Sequence, residues 1–196
     1  MAAADFNVSK LKAALAKGGA RPSLFQFEVT GAPLTTPSSL TNIKYYCQVS
    51  ALPPLTLTPI EKMYFGRTVK IPGDIVFGDL TTTIYQTEEG NERFSIESWM
   101  DDINGHVDNV SSLEAKTTSF MAKYSGVGKL TQYPKSGSLA AKILSTVVFV
   151  DMWPQSVTEI ALSYDTASDI EQFDVTWAYN YYTMSGGTVT TNSTQG

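Results

Sequence analysis

The sequence predicts a mainly β protein in which two antiparallel sheets form a β-sandwich or barrel, with a flanking α-helix and a short N-terminal helix. Several segments alternate apolar and polar residues with a period of two, and turn-forming residues separate them. Only one segment, centred near residue 98, has a strong helical period. The 196 residues are 42% hydrophobic, which is enough for one domain with a substantial core.

The first predicted elements are a short helix and a strand. Ser9 is a candidate N-cap for the helix "KLKAALAK". In "LFQFEVT", Phe25 and Phe27 alternate with polar residues, which predicts a strand. Residues 31–42 are rich in Pro, Thr and Ser and predict a loop.

A second strand is predicted from Ile43 to Val49. This segment is apolar and contains the single cysteine, Cys47, which has no partner for an internal disulfide. We expect its thiol to be buried and unreactive.

The segment "ALPPLTLTPIEKMYFGRTVKIPGD" predicts a hairpin, with arms from Leu55 to Thr58 and from Met63 to Ile71 around a turn at residues 59–62. Its tip presents apolar residues where a monomer usually has polar ones. The hairpin either contacts a partner or folds back over its own core, and the pattern does not decide between these alternatives. The candidate contact residues are Pro59, Ile60, Met63, Tyr64, Phe65 and Arg67.

The central segments predict a strand and the principal helix. "DIVFGDLTTTIYQTE" alternates over Leu80, Thr82 and Ile84, which predicts a strand. In the helical segment that follows, apolar residues fall at i, i+3, i+4 and i+7, and this stripe is expected to pack on a sheet. They are Ile96, Trp99, Met100 and Ile103. The polar segment from residue 107 to 124 is predicted to be mainly loop.

Four further strands are predicted, in "GKLTQYP", "AKILSTVVFVDMW", "VTEIALSY" and "IEQFDVTWAYNYYTM". The "DTASD" turn predicts a hairpin between the last two. The final strand is predicted to run uninterrupted from Ile170 to Met184, with Phe173, Val175, Trp177, Tyr179 and Tyr181 on one face. Its end has aromatic residues on both faces, and a monomer does not normally leave these exposed.

The contact candidates at the end of this strand are Tyr179, Tyr181 and Tyr182. One domain is predicted over residues 1–184, followed by a flexible tail at residues 185–196 that lacks large apolar residues.

Composition argues against several function classes. The net charge of −5 and the dispersed Lys and Arg residues do not provide the basic surface of a tight nucleic-acid binder. The single histidine, His106, leaves almost no material for a His-based triad or a two-histidine metal site. We therefore predict no enzyme activity and no catalytic, cofactor-binding or metal-binding residues. No long apolar run or export signal is present, so we expect no membrane insertion and assembly in the cytosol.

Several stretches together resemble the tail tube proteins of T4-type contractile-tailed bacteriophages. They are "ARPSLFQFEVT", "YYCQVSALP", "GRTVKIPGD", "FGDLTTTIY" and, above all, "MWPQSVTEIALSYDTASDIEQFDVTWAYNYY", in order from Ala20 to Tyr182. The resemblance implies a barrel-like subunit of a virion, assembled as six-fold rings that stack into a hollow tube inside a contractile sheath. It implies no catalytic residues or cofactor.

The resemblance also implies partners. They are other copies of the chain, the tail sheath protein, the baseplate hub, the tail terminator and a tape-measure protein, with viral DNA passing through the lumen without specific binding. In such a ring a neighbouring copy would cover the aromatic end of the last strand, and the hairpin would bury Ile60, Met63 and Tyr64 against an adjacent ring.

Two alternatives remain open from the sequence. One is the inner tube of a related contractile injection system. The other is a monomeric β-sandwich that binds a small ligand or carbohydrate through Trp153, Trp177 and the tyrosine cluster, because exposed aromatic rings also form sugar-binding platforms.

Overall fold

The computed structural model describes residues 8–14, 19–32, 40–107, 111, 124–135, 143–164 and 169–186. The helices in these ranges are α1 (Val8–Ala14), α2 (Ile43–Tyr46) and α3 (Asn91–Ile103), and a 3-10 turn spans Leu40–Asn42. The strands are β1 (Phe25–Thr30), β2 (Cys47–Val49), β3 (Leu55–Tyr64), β4 (Arg67–Phe77), β5 (Leu80–Tyr85), β6 (Gly126–Gln132), β7 (Ser145–Val157), β8 (Gln172–Ala178) and β9 (Tyr181–Ser185). The predicted mainly β class is confirmed.

Seven of the described strands form one antiparallel sheet. Its order is β1, β6, β7, β8, β5 and β2, and β9 joins it beside β7. The sheet bends around a single core, since Phe27 of β1 lies 6.0 Å from Trp177 of β8, ring centre to ring centre, although two strands separate β1 from β8. β3 and β4 form a separate two-stranded sheet. The molecule therefore has a barrel-like body and a long hairpin, which we call the arm (Leu55–Phe77).

The alternation predicted from the sequence sets which residues enter the core. Every second side chain of β5 and β8 is buried, because successive residues of a strand point to opposite faces. These buried side chains are Leu80, Thr82 and Ile84 on β5, and Phe173, Val175 and Trp177 on β8.

Helix α3 is confirmed and packs on this core as predicted. Ile96 and Trp99 are fully buried, and the Trp99 ring lies 6.0 Å from that of Trp177. The helix begins after Gly90, where the backbone is left-handed. The buried Glu92 carboxylate accepts hydrogen bonds from the backbone N–H and the hydroxyl of Thr87, so its charge is both hydrogen-bonded and close to the positive end of the helix.

The predicted uninterrupted strand from Ile170 to Met184 is divided into β8 and β9. Both parts pair with β7, and the break falls at Tyr179 and Asn180. Side-chain alternation slips by one residue at this break, so that Tyr179 and Tyr182 contact each other, with ring centres 6.4 Å apart. The predicted common face for Tyr179 and Tyr181 is therefore wrong.

The side-chain alternation of β7 also slips by one residue, opposite this break, so β7 stays paired with both β8 and β9. Phe149 and Met152 are both buried, although an unbroken alternation would put them on opposite faces. Between them Asp151 has a left-handed φ of 55°, and its carboxylate accepts a hydrogen bond of 2.9 Å from the Asn180 side chain. The paired strands thus turn together at one corner of the sheet.

The segment "VTEIALSY" does not form a separate strand, although its residues alternate: Val157 ends β7, and residues 158–164 belong to no strand. β7 continues through Pro154 to Val157, and β8 pairs with β7 on one side and β5 on the other. No edge of β8 is left for a further strand, so Leu162 and Tyr164 are exposed. The predicted hairpin at "DTASD" is therefore replaced by pairing of β8 with β7.

Two more predicted boundaries are wrong. The strand from Ile43 to Val49 begins instead as α2, because Leu40 and Ile43, at helical spacing, are both buried beside β1. Residues 74–77 belong to β4, and β5 begins only at Leu80.

Several predictions fall on residues outside the described ranges. They concern most of the 31–42 loop, most of the 107–124 loop and the tail from residue 187. The division into a domain at 1–184 and a tail at 185–196 stays a prediction, and β9 extends through Ser185.

Candidate functional site

The arm turns at residues 65–66, five residues later than the centre of the predicted turn at residues 59–62. Its strands pair from Leu55 opposite Phe77 to Tyr64 opposite Arg67, which leaves a two-residue loop of Phe65 and Gly66. Both loop residues have positive φ, 42° and 76°, as a type I′ turn requires. Pro59, a predicted turn residue, lies within β3 opposite Pro72.

The outer half of the arm has one predominantly apolar face. Residues directly opposite in an antiparallel pair share a face, and the register pairs Ile60 with Ile71, Lys62 with Val69, and Tyr64 with Arg67. The apolar members are each about half exposed or more. We call them the tip patch: Ile60, Tyr64, Val69 and Ile71.

The opposite face of the outer half is more polar. Glu61 pairs with Lys70, and their side chains form an ion pair of 3.3 Å. Thr68 lies opposite Met63, and its hydroxyl is 3.3 Å from the Met63 sulfur. The arm is therefore amphipathic beyond its middle.

A register shift in the middle of the arm changes which face is apolar. Gly73 and Asp74 together lie opposite Thr58, an arrangement that adds one residue to β4. A Cβ at position 73 would lie 2.5 Å from the backbone oxygen of Thr58 and 2.9 Å from the Ile60 side chain, so the close approach of the two strands requires glycine here. Below the shift, Leu55, Leu57 and Ile75 form a second exposed apolar group.

The predicted contact candidates on the arm do not form one patch. Ile60, Tyr64 and Arg67 share the tip-patch face, whereas Pro59 and Met63 lie on the other face. Phe65 is at the tip, 90% exposed, with its ring 4.6 Å from that of Tyr64. Val69, Ile71, Leu57 and Ile75 were missed as candidates, although their alternation was visible in the sequence.

The three candidate tyrosines occupy different environments. Tyr181 is 46% exposed on β9, whose pairing among the described strands is with β7 alone. Tyr179 and Tyr182 are half-buried and join an aromatic cluster with Phe77, at the inner end of the arm, and Phe149 of β7.

The carbohydrate-binding alternative loses one of its two tryptophans. Trp177 is fully buried, and its indole N–H donates to the Thr82 hydroxyl at 2.8 Å inside the core. Trp153 is half-buried against the Tyr124 ring. A sugar platform needs an exposed ring face, and Trp177 offers none.

The described residues provide few polar groups suited to chemistry. Burial raises the pKa of the Cys47 thiol to about 12, which keeps it protonated and agrees with the predicted unreactive thiol, although Cys47 is only partly buried. No group of three His, Cys, Asp or Glu side chains within these ranges is arranged to hold a metal ion. Likewise, none of the described helices is long and apolar enough to cross a bilayer.

Solved structures of contractile injection machines share this fold. A chain from the cryo-EM structure of the PVC sheath-tube complex in the extended state matches with a TM-score of 0.59 at 14% identity, covering 93% of this chain and 100% of that one. A chain from the cryo-EM structure of the anti-feeding prophage cap matches with a TM-score of 0.60 at 14% identity, covering 95% and 99%. At 14% identity, these matches show that the chain shares its fold with chains of such assemblies.

The chain belongs to the phage tail tube protein family, whose model matches residues 5–185. It is 26% identical over 163 residues to Tail tube protein gp19 of Enterobacteria phage T4, a match that covers 83% of this chain and 90% of that protein. The same figures hold for Tail tube protein gp19 of Enterobacteria phage T6. The resemblance inferred from the sequence is confirmed.

Proposed function

We propose that the chain is the subunit of the inner tail tube of a contractile-tailed phage, in which hexameric rings of this protein stack to form the conduit for the genome. The observation that carries the proposal is the arm. Between Leu55 and Val76 all of its residues except Gly73 are exposed, and its apolar side chains need a cover that the barrel does not supply.

The cover we propose for the tip patch is a second copy of the chain in the adjacent ring. A two-stranded hairpin alone is at best marginally stable in water, so docking on another copy also stabilises the arm itself. A head-to-tail contact between different surfaces of identical subunits repeats along an open array when its symmetry operation does not close, which is the geometry of a stack. Met63 and Pro59 are then candidates for contacts on the opposite face.

The sheet offers a second surface, for contacts within a ring. β1 and β9 each pair with one described neighbour, so each has an open edge. Exposed apolar residues, Tyr181 and Met184, lie on β9. We propose that a neighbouring subunit covers this edge and continues the sheet around the ring.

The proposed partners outside the ring are the tail sheath protein, the baseplate hub, the tail terminator and a tape-measure protein. The net charge of −5 suits a conduit, because DNA is repelled by an acidic wall and not held by it. The second candidate is the inner tube of a related injection system. The fold matches to chains from the PVC and anti-feeding prophage structures favour it. We place assembly in the host cytoplasm.

The test removes the tip patch without touching the barrel. Ile60→Asp combined with Ile71→Asp places two charges on the patch, and Val107→Asp combined with Leu162→Asp, which replaces two exposed apolar residues outside the arm, is the matched control. Burying an aliphatic side chain contributes about 1.5–3 kcal/mol, so the double variant should need at least about a hundredfold more protein to form tubes. Sedimentation velocity and negative-stain electron microscopy measure this.

Both variants should retain the melting temperature of the barrel, because neither changes a core residue. Tubes formed by the double variant at the wild-type concentration would refute the proposed docking surface. A glycan-binding monomer with no concentration-dependent assembly would refute the proposed function as a whole.

A further inference from the structure

The arm meets the barrel at a narrow root made of few residues. Pro54 and Gly78 flank the arm, and a Cβ at position 78 would lie 2.9 Å from the Pro54 ring, so the incoming and outgoing chains pass close together. The arm places no side chain among the buried apolar residues that the structure describes. Contacts at the root must therefore set the direction in which the arm projects.

Tyr179, a residue of the barrel, contacts this root in two ways. The Tyr179 hydroxyl donates a hydrogen bond to the backbone carbonyl of Gly78. The Tyr179 ring also contacts Phe77, the last residue of the arm, with ring centres 6.4 Å apart, and Phe149 of β7 at 4.9 Å. Tyr179 itself lies at the break between β8 and β9, where the paired strands turn.

The Tyr179 hydroxyl remains protonated, and so can donate a hydrogen bond, over the whole physiological pH range. Burial, followed by the nearby Tyr182 and Asp79, raises the pKa of Tyr179 to about 12. The proton on which the hydrogen bond to Gly78 depends is therefore present at neutral pH.

We propose that Tyr179 is a positioning residue for assembly, which fixes the direction of the arm before a second copy of the chain arrives. This inference rests on the proposed function, in which the arm docks on that copy. An arm that already points in the docking direction loses less conformational freedom on binding, and this raises the rate and affinity of assembly.

The experiment compares Tyr179→Phe with Tyr133→Phe. The first keeps the ring and removes the hydroxyl at the root. The second removes a hydroxyl that donates to Gln26 at 2.9 Å, in the barrel, and serves as the matched control. Each is made in a Cys47→Ser background with spin labels at Lys62→Cys near the tip and Lys129→Cys on β6.

The first readout is the distance distribution between the two labels in the unassembled protein, measured by double electron-electron resonance. Tyr179→Phe should broaden or shift this distribution, while Tyr133→Phe should leave it at the width of the unsubstituted protein. An unchanged distribution in Tyr179→Phe would overturn the positioning role, whatever the protein assembles into.

The second readout is the concentration at which unlabelled protein forms tubes. Tyr179→Phe should raise it on the order of tenfold, as expected for a lost preorganising contact. A broadened distribution with unchanged assembly would also overturn the inference, because arm direction would then not matter for docking. Absence of tubes from the wild-type chain, with a broadened distribution in Tyr179→Phe, would refute the proposed function and leave only a local constraint on the arm.

Discussion

At the scale of single residues, the corner of the sheet depends on a pair of polar side chains. Asp151 has a left-handed backbone, which costs a non-glycine residue on the order of 1–3 kcal/mol unless its surroundings enforce it. Three hydrogen bonds hold it. The Asn180 side chain and the Ser125 hydroxyl, the latter at 3.4 Å, both donate to the Asp151 carboxylate, and the Asn180 backbone N–H donates to the carbonyl of Val150 at 3.1 Å. The side chains of β7 and of the β8–β9 segment slip at this same level because these contacts couple them.

A double-mutant cycle on Asp151→Ala and Asn180→Ala tests this coupling. Each single replacement should lower the free energy of unfolding by about 1–3 kcal/mol, and the double replacement should cost about 1 kcal/mol less than their sum, because both remove the same hydrogen bond. Urea denaturation of the unassembled protein measures all four species. Strictly additive energies would show that the two residues act independently.

At the scale of elements, the arm is the hairpin whose turn the sequence marks least clearly. Its tip turn contains Phe65 and Gly66, in place of the Asn-Gly that favours a type I′ turn. Pro59 and Pro72 lie opposite each other within the strands and suggest a turn where there is none. Prolines are tolerated here because β3 and β4 are both edge strands.

Gly66→Val should loosen the arm and leave the barrel intact. A β-branched residue at a φ of 76° costs on the order of 1–3 kcal/mol, and the arm has little stability to lose. Gly66→Asn is the matched control, because Asn adopts this backbone conformation readily. Amide hydrogen exchange should accelerate for residues 55–77 in the valine variant and stay unchanged in β5 and β8. Equal exchange in the two variants would contradict the assigned turn.

At the scale of the whole molecule, folding and assembly use separate sets of apolar residues. The described core is formed by the sheet, α3, α2 and the 3-10 turn before α2, and the Trp177 ring contacts both Phe27 and Trp99 within it. The arm has its own exposed apolar groups and meets the barrel through Phe77 and Gly78. Stability of the subunit and affinity between subunits can therefore change independently.

Deleting the arm tests this separation directly. Leu55 and Phe77 lie opposite each other, so an Asn-Gly turn in place of residues 56–76 joins them in the existing register and keeps Phe77 on the tyrosines. The shortened chain should melt within a few degrees of the full chain and form no tubes. Scanning calorimetry and electron microscopy measure the two properties. Loss of cooperative melting would show that the arm stabilises the barrel.

Local patterns in the sequence determined the mainly β class, the alternation of β5 and β8, the helix α3 and the presence of an apolar hairpin, because each depends on periodicities of two or 3.6 residues along the chain. The tertiary structure alone decided the position of the arm's turn, the division of the last strand and the burial of Trp177. These depend on which strands pair and in what register. "VTEIALSY" alternates as well as "QFDVTWA", but only the latter lies between β7 and β5, so contacts distant in sequence select one of two equally patterned segments for the sheet.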